Sequence, residues 1–226
     1  MTDQPGLELR TGPQRTFLHV LLNAITVSVV NYTLWFAVTF WVFLETRSVF
    51  ATGTIAGIFL VATALTGIWF GSLVDHHPKK AVLQVSAVVS LLFYGAALAL
   101  YLLSPAEAFR RPGSVLLWAF VVLLMLGVIA GNVRMIALST LVTLLVPADA
   151  RDRANGLVGT VNGASFLVTS VISGLLVGLS GMFHALLVGV VATAVVIGHL
   201  ALVRIPAGWT CAARSPWSSP SRGWWR

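Results

Sequence analysis

Six long apolar runs, separated by short polar segments, dominate the sequence. They cover residues 17–44, 50–74, 81–103, 114 to about 140, 155–178 and 182–203. An α-helix needs about 20 apolar residues to cross the hydrocarbon core of a bilayer. Only a helix satisfies every backbone N–H and C=O group within one such segment. The pattern therefore predicts an all-α polytopic membrane protein with six transmembrane helices.

Composition agrees with a membrane protein and excludes a soluble domain. Apolar residues make up 58% of the chain, charged residues only 9%, and the mean hydropathy is +0.92, whereas about 25% of the residues of soluble domains are charged. The sequence has no nucleophile triad, no metal-spaced cluster and no phosphate-binding glycine loop. We therefore expect neither an enzyme nor a bound cofactor.

The net charge of +7 reflects bases at helix ends rather than a basic face for nucleic acid. With six crossings and an inner amino terminus, ten bases fall on the cytoplasmic side and three on the outer side. The inner ten are Arg10, Arg15, Lys79, Lys80, Arg151, Arg153, Arg204, Arg214, Arg222 and Arg226; the outer three are Arg47, Arg110 and Arg111. The positive-inside rule then predicts a cell-membrane protein, inner or plasma membrane, with both termini in the cytoplasm.

The segment between the second and third runs, Gly-Ser-Leu-Val-Asp-His-His-Pro-Lys-Lys-Ala-Val-Leu at residues 71–83, concentrates charge and turn residues. It resembles the loop Gly-x-Leu-Ala-Asp-Arg-x-Gly-Arg-Lys-x-x-Leu of the major facilitator superfamily. Six positions match, with His76 in place of arginine and Pro78 in place of glycine; the matched positions are Gly71, Leu73, Asp75, Lys79, Lys80 and Leu83. The alternative is a solvated basic loop.

The resemblance implies a gating loop formed by Gly71, Asp75, His76, Lys79 and Lys80. In the family, the aspartate caps a helix of the opposite six-helix half and forms charge pairs that hold the outward-facing state. That role falls to Asp75, with Lys79 and Lys80 as local cationic partners.

Further segments are similar to the multidrug-efflux and tetracycline-like branch. They are residues 146–155, Trp35-Phe36 and Leu44-Glu45-Thr46. Of the antiporter motif Gly-Pro-x-x-Gly-Gly only Gly174 is present, so that motif does not support export. The resemblance implies proton-driven efflux of small amphipathic molecules by alternating access. The alternatives are a truncated or partner-dependent fragment that does not transport, and a half-transporter that pairs with a second six-helix half or with a second copy of itself.

Candidate cavity residues lie in three runs. Asn23, Asn31 and Trp35 share one helical stripe because they are eight and four residues apart. Asn162 and Phe166 form a second stripe. These side chains line a substrate cavity or hydrogen-bond neighbouring helices. Arg134 orients an anionic group, contacts Asp75, or extends to the inner headgroups.

Glycines four residues apart place small residues on one helix face, which lets another backbone approach closely. The second run has Gly53, Gly57, Gly67 and Gly71, and the fifth has Gly174 and Gly178. We therefore predict that Gly53, Gly57, Gly67, Gly174 and Gly178 are helix-packing positions.

The chain divides into a cytoplasmic segment (1–16), the membrane bundle (17–203) and a tail (204–226). The tail holds four of the eight tryptophans, the single cysteine Cys211, and many Pro, Ser and Arg residues without periodicity. It is either an anchor at the membrane surface or a sequence translated out of frame, so that a longer transporter has been cut short.

Overall fold

The computed structural model describes residues 12–146 and 148–202. It confirms the all-α prediction, because the described residues form helices and short turns without a strand. The helices are α1 (Gly12–Thr46), α2 (Val49–His76), α3 (Lys79–Leu103), α4 (Val115–Leu145) and α5 (Arg151–Leu202). Two 3-10 turns, Ala106–Phe109 and Ala148–Ala150, precede α4 and α5.

The fifth helix folds back on itself. Its 52 residues would extend about 78 Å as a straight helix, more than twice the hydrocarbon core of about 30 Å. Gly181 breaks it with φ 74° and ψ 178°, a conformation that favours glycine. Two arms result, residues 151–180 and 182–202. Within residues 12–146 and 148–202, five helices are long and apolar enough to cross a membrane, and the two arms of α5 supply the fifth and sixth predicted crossings.

Contacts with α1 confirm the fold-back. The Ser173 hydroxyl donates to the Thr33 carbonyl at 3.0 Å, and the next residue, Leu34, packs against Gly189. Both arms therefore pass the same level of α1 in opposite directions.

The amino-terminal boundary differs from the prediction. Helix α1 begins at Gly12 rather than at residue 17, so part of the predicted 1–16 segment is helical. Pro13 is compatible with this start, because a first-turn residue needs no backbone N–H donor. Residues 1–11 and the predicted tail 204–226 lie outside the described residues.

Helix α1 lies at the centre of the bundle. It packs against α4 and both arms of α5, and α3 packs against α4. Helix α2 is the least buried, and its exposed apolar side chains include Ile58, Leu60, Val61, Leu65, Ile68 and Trp69. The outer faces of α2 and of the first α5 arm are therefore apolar and uncovered by other described residues.

The glycines predicted as helix-packing positions make no close contact within the described residues. A Cβ atom placed on Gly53, Gly57, Gly67, Gly174 or Gly178 would meet no atom within 4 Å. The closely packed glycines are instead Gly127, Gly131 and Gly189, beside Tyr94, Asn31 and Leu34 respectively. Spacing shows which residues share a face, but it does not show what that face meets.

Candidate functional site

An aromatic surface lies where α1, α2 and the first arm of α5 meet. We call it the aromatic face; it comprises Tyr32, Trp35, Phe36, Phe59, Asn162 and Phe166. The α1 members are three and four residues apart and so project to one side of the helix. All are half-buried except Phe166, which is 45% exposed.

Ring contacts join the aromatic face in two groups, one on α1 and α2 and the other on α1 and α5. Trp35 stacks on Phe59, with ring centroids 4.1 Å apart and planes at 23°. Phe166 contacts Tyr32 edge-on at 5.4 Å and Phe36 at 5.1 Å. The Tyr32 hydroxyl donates to Asn162 Oδ1 at 3.1 Å. Partly exposed aromatic rings with a few polar atoms are suited to binding an amphipathic molecule.

Asn31, by contrast, is buried inside the bundle, with 4% of its surface exposed. Its amide donates to the Val128 carbonyl at 3.2 Å and accepts from the Tyr94 hydroxyl at 2.9 Å. Gly131 lies directly against this amide. These contacts join α1 to α3 and α4.

Arg134 is also buried, with 1% exposed. Its guanidinium donates through Nη1 to Asn23 Oδ1 and through Nη2 to the Leu83 carbonyl, the latter at 2.8 Å. Its Nε has no partner, and within residues 12–146 and 148–202 no carboxylate pairs with it. The positive charge is therefore balanced by neutral dipoles alone.

Asn23 extends this network to the second arm of α5. Its Nδ2 donates to the Val196 carbonyl at 3.0 Å and lies 3.2 Å from His199 Nδ1. Because Arg134 can only donate, Asn23 Oδ1 must face it, and Nδ2 must therefore face His199. His199 Nδ1 accepts this bond only when it carries no proton.

The structure thus divides the six predicted cavity residues into two groups. Trp35, Asn162 and Phe166 lie on the aromatic face. Asn23, Asn31 and Arg134 are buried in contacts between helices, which is the arrangement that the helix-contact alternative expects for the two asparagines. Arg134 neither contacts Asp75 nor extends to a headgroup.

The predicted gating loop is a tight turn. Pro78 has φ −56°, close to its preferred value, and it connects α2 to α3. The Asp75 carboxylate is exposed. Lys79 is buried, and its ammonium donates to the backbone carbonyls of Val74 and Asp75, so the implied pairing of Lys79 with the Asp75 carboxylate is not formed. Lys80 donates to the Ala201 carbonyl at 3.3 Å.

The two histidines of the loop donate hydrogen bonds to backbone carbonyls at the carboxyl end of α2. His76 Nδ1 lies 2.8 Å from the Ser72 carbonyl and His77 Nδ1 lies 3.1 Å from the Leu73 carbonyl. A carbonyl only accepts, so each Nδ1 donates. Basic side chains thus bind successive carbonyls at the negative end of the helix dipole. This gives a local role to His76, which replaces the usual arginine; Gly71 is half-buried one turn before.

Four members of these sites were not singled out from the sequence. Phe59 and Tyr94 lie in apolar runs without a distinguishing neighbour, and His199 is distant in sequence from Asn23. Tyr32 was detectable, because it is three residues before Trp35.

The fold and its sites define a polytopic helical membrane protein that presents an aromatic surface between helices. The family model of the Major Facilitator Superfamily matches residues 20–223. The chain belongs to that superfamily, whose members are transporters rather than enzymes; it is a membrane transporter or a fragment of one. Searches of curated proteins and of solved structures gave no match.

Proposed function

We propose that this chain is a six-helix half of a transporter that moves small amphipathic organic molecules by alternating access, as in the multidrug-efflux branch. The observation that carries the proposal is the aromatic face. It is built on α1, α2 and α5, and the exposed apolar surfaces of α2 and α5 lie beside it. A second six-helix unit on those surfaces would enclose the face as a substrate cavity.

The opposing unit is either a second half or a second copy of this chain. The uncovered glycines of α2 and α5 support this arrangement, because small residues permit close approach of another helix. Asp75 is exposed and therefore available to that unit, as the gating role requires. We place the 76–80 turn and both termini on the cytoplasmic side of the cell membrane, on the basis of the charge asymmetry.

Proton coupling is supported by the Asn23–His199 hydrogen bond, which only neutral His199 can make. Protonation would break this link between α1 and α5. The charged or titratable groups around it are His19, with ring centroids 5.7 Å apart, Arg134 through Asn23, and Lys80 near Ala201.

The test of the substrate face uses a fluorescent amphipathic dye, with binding measured in nanodiscs and proton-driven efflux in vesicles. Loss of one stacked ring removes about 1 kcal/mol, or roughly five-fold in affinity. We expect that loss for Trp35→Ala. Trp69→Ala is the matched control, because Trp69 is 81% exposed on the outside of α2. Equal binding by the two variants would exclude the aromatic face as the substrate site.

Proton coupling is tested separately. His199→Gln should make dye efflux less sensitive to the pH gradient, because glutamine cannot be protonated. His184→Gln, an exposed control on the same α5 arm, should retain the wild-type response. An unchanged response in both variants would remove His199 from the coupling step.

A further inference from the structure

An apolar groove lies between α2, α3 and α4. It has a volume of about 470 Å³ and runs from His77 and Pro78 at the turn to Phe93 and Leu126 in the middle of the bundle. It exists because α2 leans on α1 and α4 and diverges from α3. We call it the α2–α4 groove.

The groove wall presents hydrocarbon along nearly its whole length. The hydroxyls of Thr66 and Ser86, which line it, are bonded to carbonyls of their own helices. His77, at the turn end, is the exposed titratable member of the lining. A polar ligand would therefore find no partner in the interior of the groove.

The dimensions distinguish between a helix and a hydrocarbon chain. Pro78 and Phe93 are 15 residues apart, so the groove is about 22 Å long. A helix of this length, about 10 Å wide with its side chains, would occupy roughly 1,700 Å³, whereas the groove holds about 1030 Å³ even when it is counted out to its open side. An unbranched chain whose carbons make contacts at about 4 Å fits this space, and a helix does not.

The length also matches one leaflet. A bilayer with headgroups is about 40–45 Å thick, so the groove reaches from the headgroup level to the bilayer midplane. At the headgroup level lie His76 and His77, with Asp75 as the nearby acid among the residues of the turn. Basic groups between membrane helices favour anionic headgroups.

We propose that the α2–α4 groove binds one acyl chain of an anionic phospholipid from the leaflet that faces the 76–80 turn, with its phosphate beside His77. The lipid would act as a wedge that keeps α2 apart from α3. The site does not depend on the transport proposal.

The test is photo-crosslinking of the full chain in nanodiscs with a phosphatidylglycerol that carries a diazirine on one acyl chain. Label should concentrate on residues 82–93 and 126–133. Val85→Trp fills the groove, whereas Val88→Trp, on the same helix, points to open lipid. Each buried methylene contributes about four-fold to binding, so exclusion of two methylenes lowers labelling roughly fifteen-fold in Val85→Trp and not in Val88→Trp.

Circular dichroism and elution volume show whether each variant is folded. If Val85→Trp does not fold, Ala130→Leu replaces it, because leucine at this position fills the groove from α4. Even labelling of all lipid-facing helices, or unchanged labelling in the filled groove, would overturn the acyl-chain site.

A phosphatidylcholine probe with the same chain tests the headgroup. It should label several-fold less, and His77→Ala should lower phosphatidylglycerol labelling to the same level, whereas Arg111→Gln should not. Equal labelling by both probes would overturn the anionic preference.

Discussion

Gly131→Ala and Gly57→Ala should change stability in opposite directions. Both residues are within helices, where alanine is more favourable than glycine by about 0.8–1.0 kcal/mol. Gly57 has open space around it, so Gly57→Ala should stabilise the protein by up to about 1 kcal/mol. At Gly131 a Cβ atom would lie 2.9 Å from Asn31 Cγ, well inside contact distance.

Asn31 cannot move away without losing a bond to Tyr94 or Val128. Overpacking a tight site costs about 1–3 kcal/mol, and a helix–helix hydrogen bond in a membrane is worth about 0.6–1.7 kcal/mol. After subtraction of the propensity gain, Gly131→Ala should destabilise the protein by roughly 1–3 kcal/mol.

Reversible unfolding by SDS in mixed micelles measures both variants, with helicity followed by circular dichroism. The predicted result is a lower midpoint for Gly131→Ala and an equal or higher midpoint for Gly57→Ala. If both variants raised the midpoint, the Asn31–Tyr94–Gly131 packing would be refuted.

Three further predictions use the same assay. Tyr94→Phe should lower the free energy of unfolding by about 1 kcal/mol, because the buried Asn31 Oδ1 loses its donor. The control Tyr101→Phe removes the same hydroxyl oxygen from a half-buried ring and should change the free energy of unfolding little. Equal effects of the two variants would argue against the Tyr94–Asn31 hydrogen bond. Asn23→Leu should lower the free energy of unfolding by about 1–3 kcal/mol, since Arg134 loses an acceptor. Asn162→Leu, on the open aromatic face, should lower it by less than half as much. The reverse order would contradict the assignment of Asn23 as buried and Asn162 as half-buried. Gly181→Ala should lower the free energy of unfolding by about 1–2 kcal/mol, because alanine is strained at positive φ. Gly178→Ala, three residues earlier, should be neutral or stabilising. Equal free energies of unfolding for the two variants would place the α5 break elsewhere.

Much of the fold could be predicted because lipid imposes a simple rule on the sequence. Each crossing needs a long apolar run, so the positions of the helices followed from hydropathy alone. The exact start of α1 did not, since polar residues such as those at 12–16 can extend a helix beyond the membrane. The continuity of α5 was also not predictable, because Gly181 breaks the helix while the backbone on both sides remains helical.

The candidate site was only partly predictable, because polar periodicity does not reveal what a stripe faces. Asn31 and Trp35 are one turn apart, yet one is buried against α3 and α4 and the other stacks on α2. Asn23 and Arg134 meet across 111 residues, and their contact depends on the packing of α1 against α4. Glycine spacing likewise did not reveal which faces are packed within the described residues.

The central claim is that the aromatic face binds the transported molecule. Its most direct test is photoaffinity labelling of the chain in nanodiscs with an azido derivative of an amphipathic dye, with and without excess unmodified dye. We expect the label that excess dye removes to lie on residues 32–36, on Phe59 and on residues 162–166. Competed label confined to the α2–α4 groove, or label that excess dye does not reduce anywhere, would contradict it.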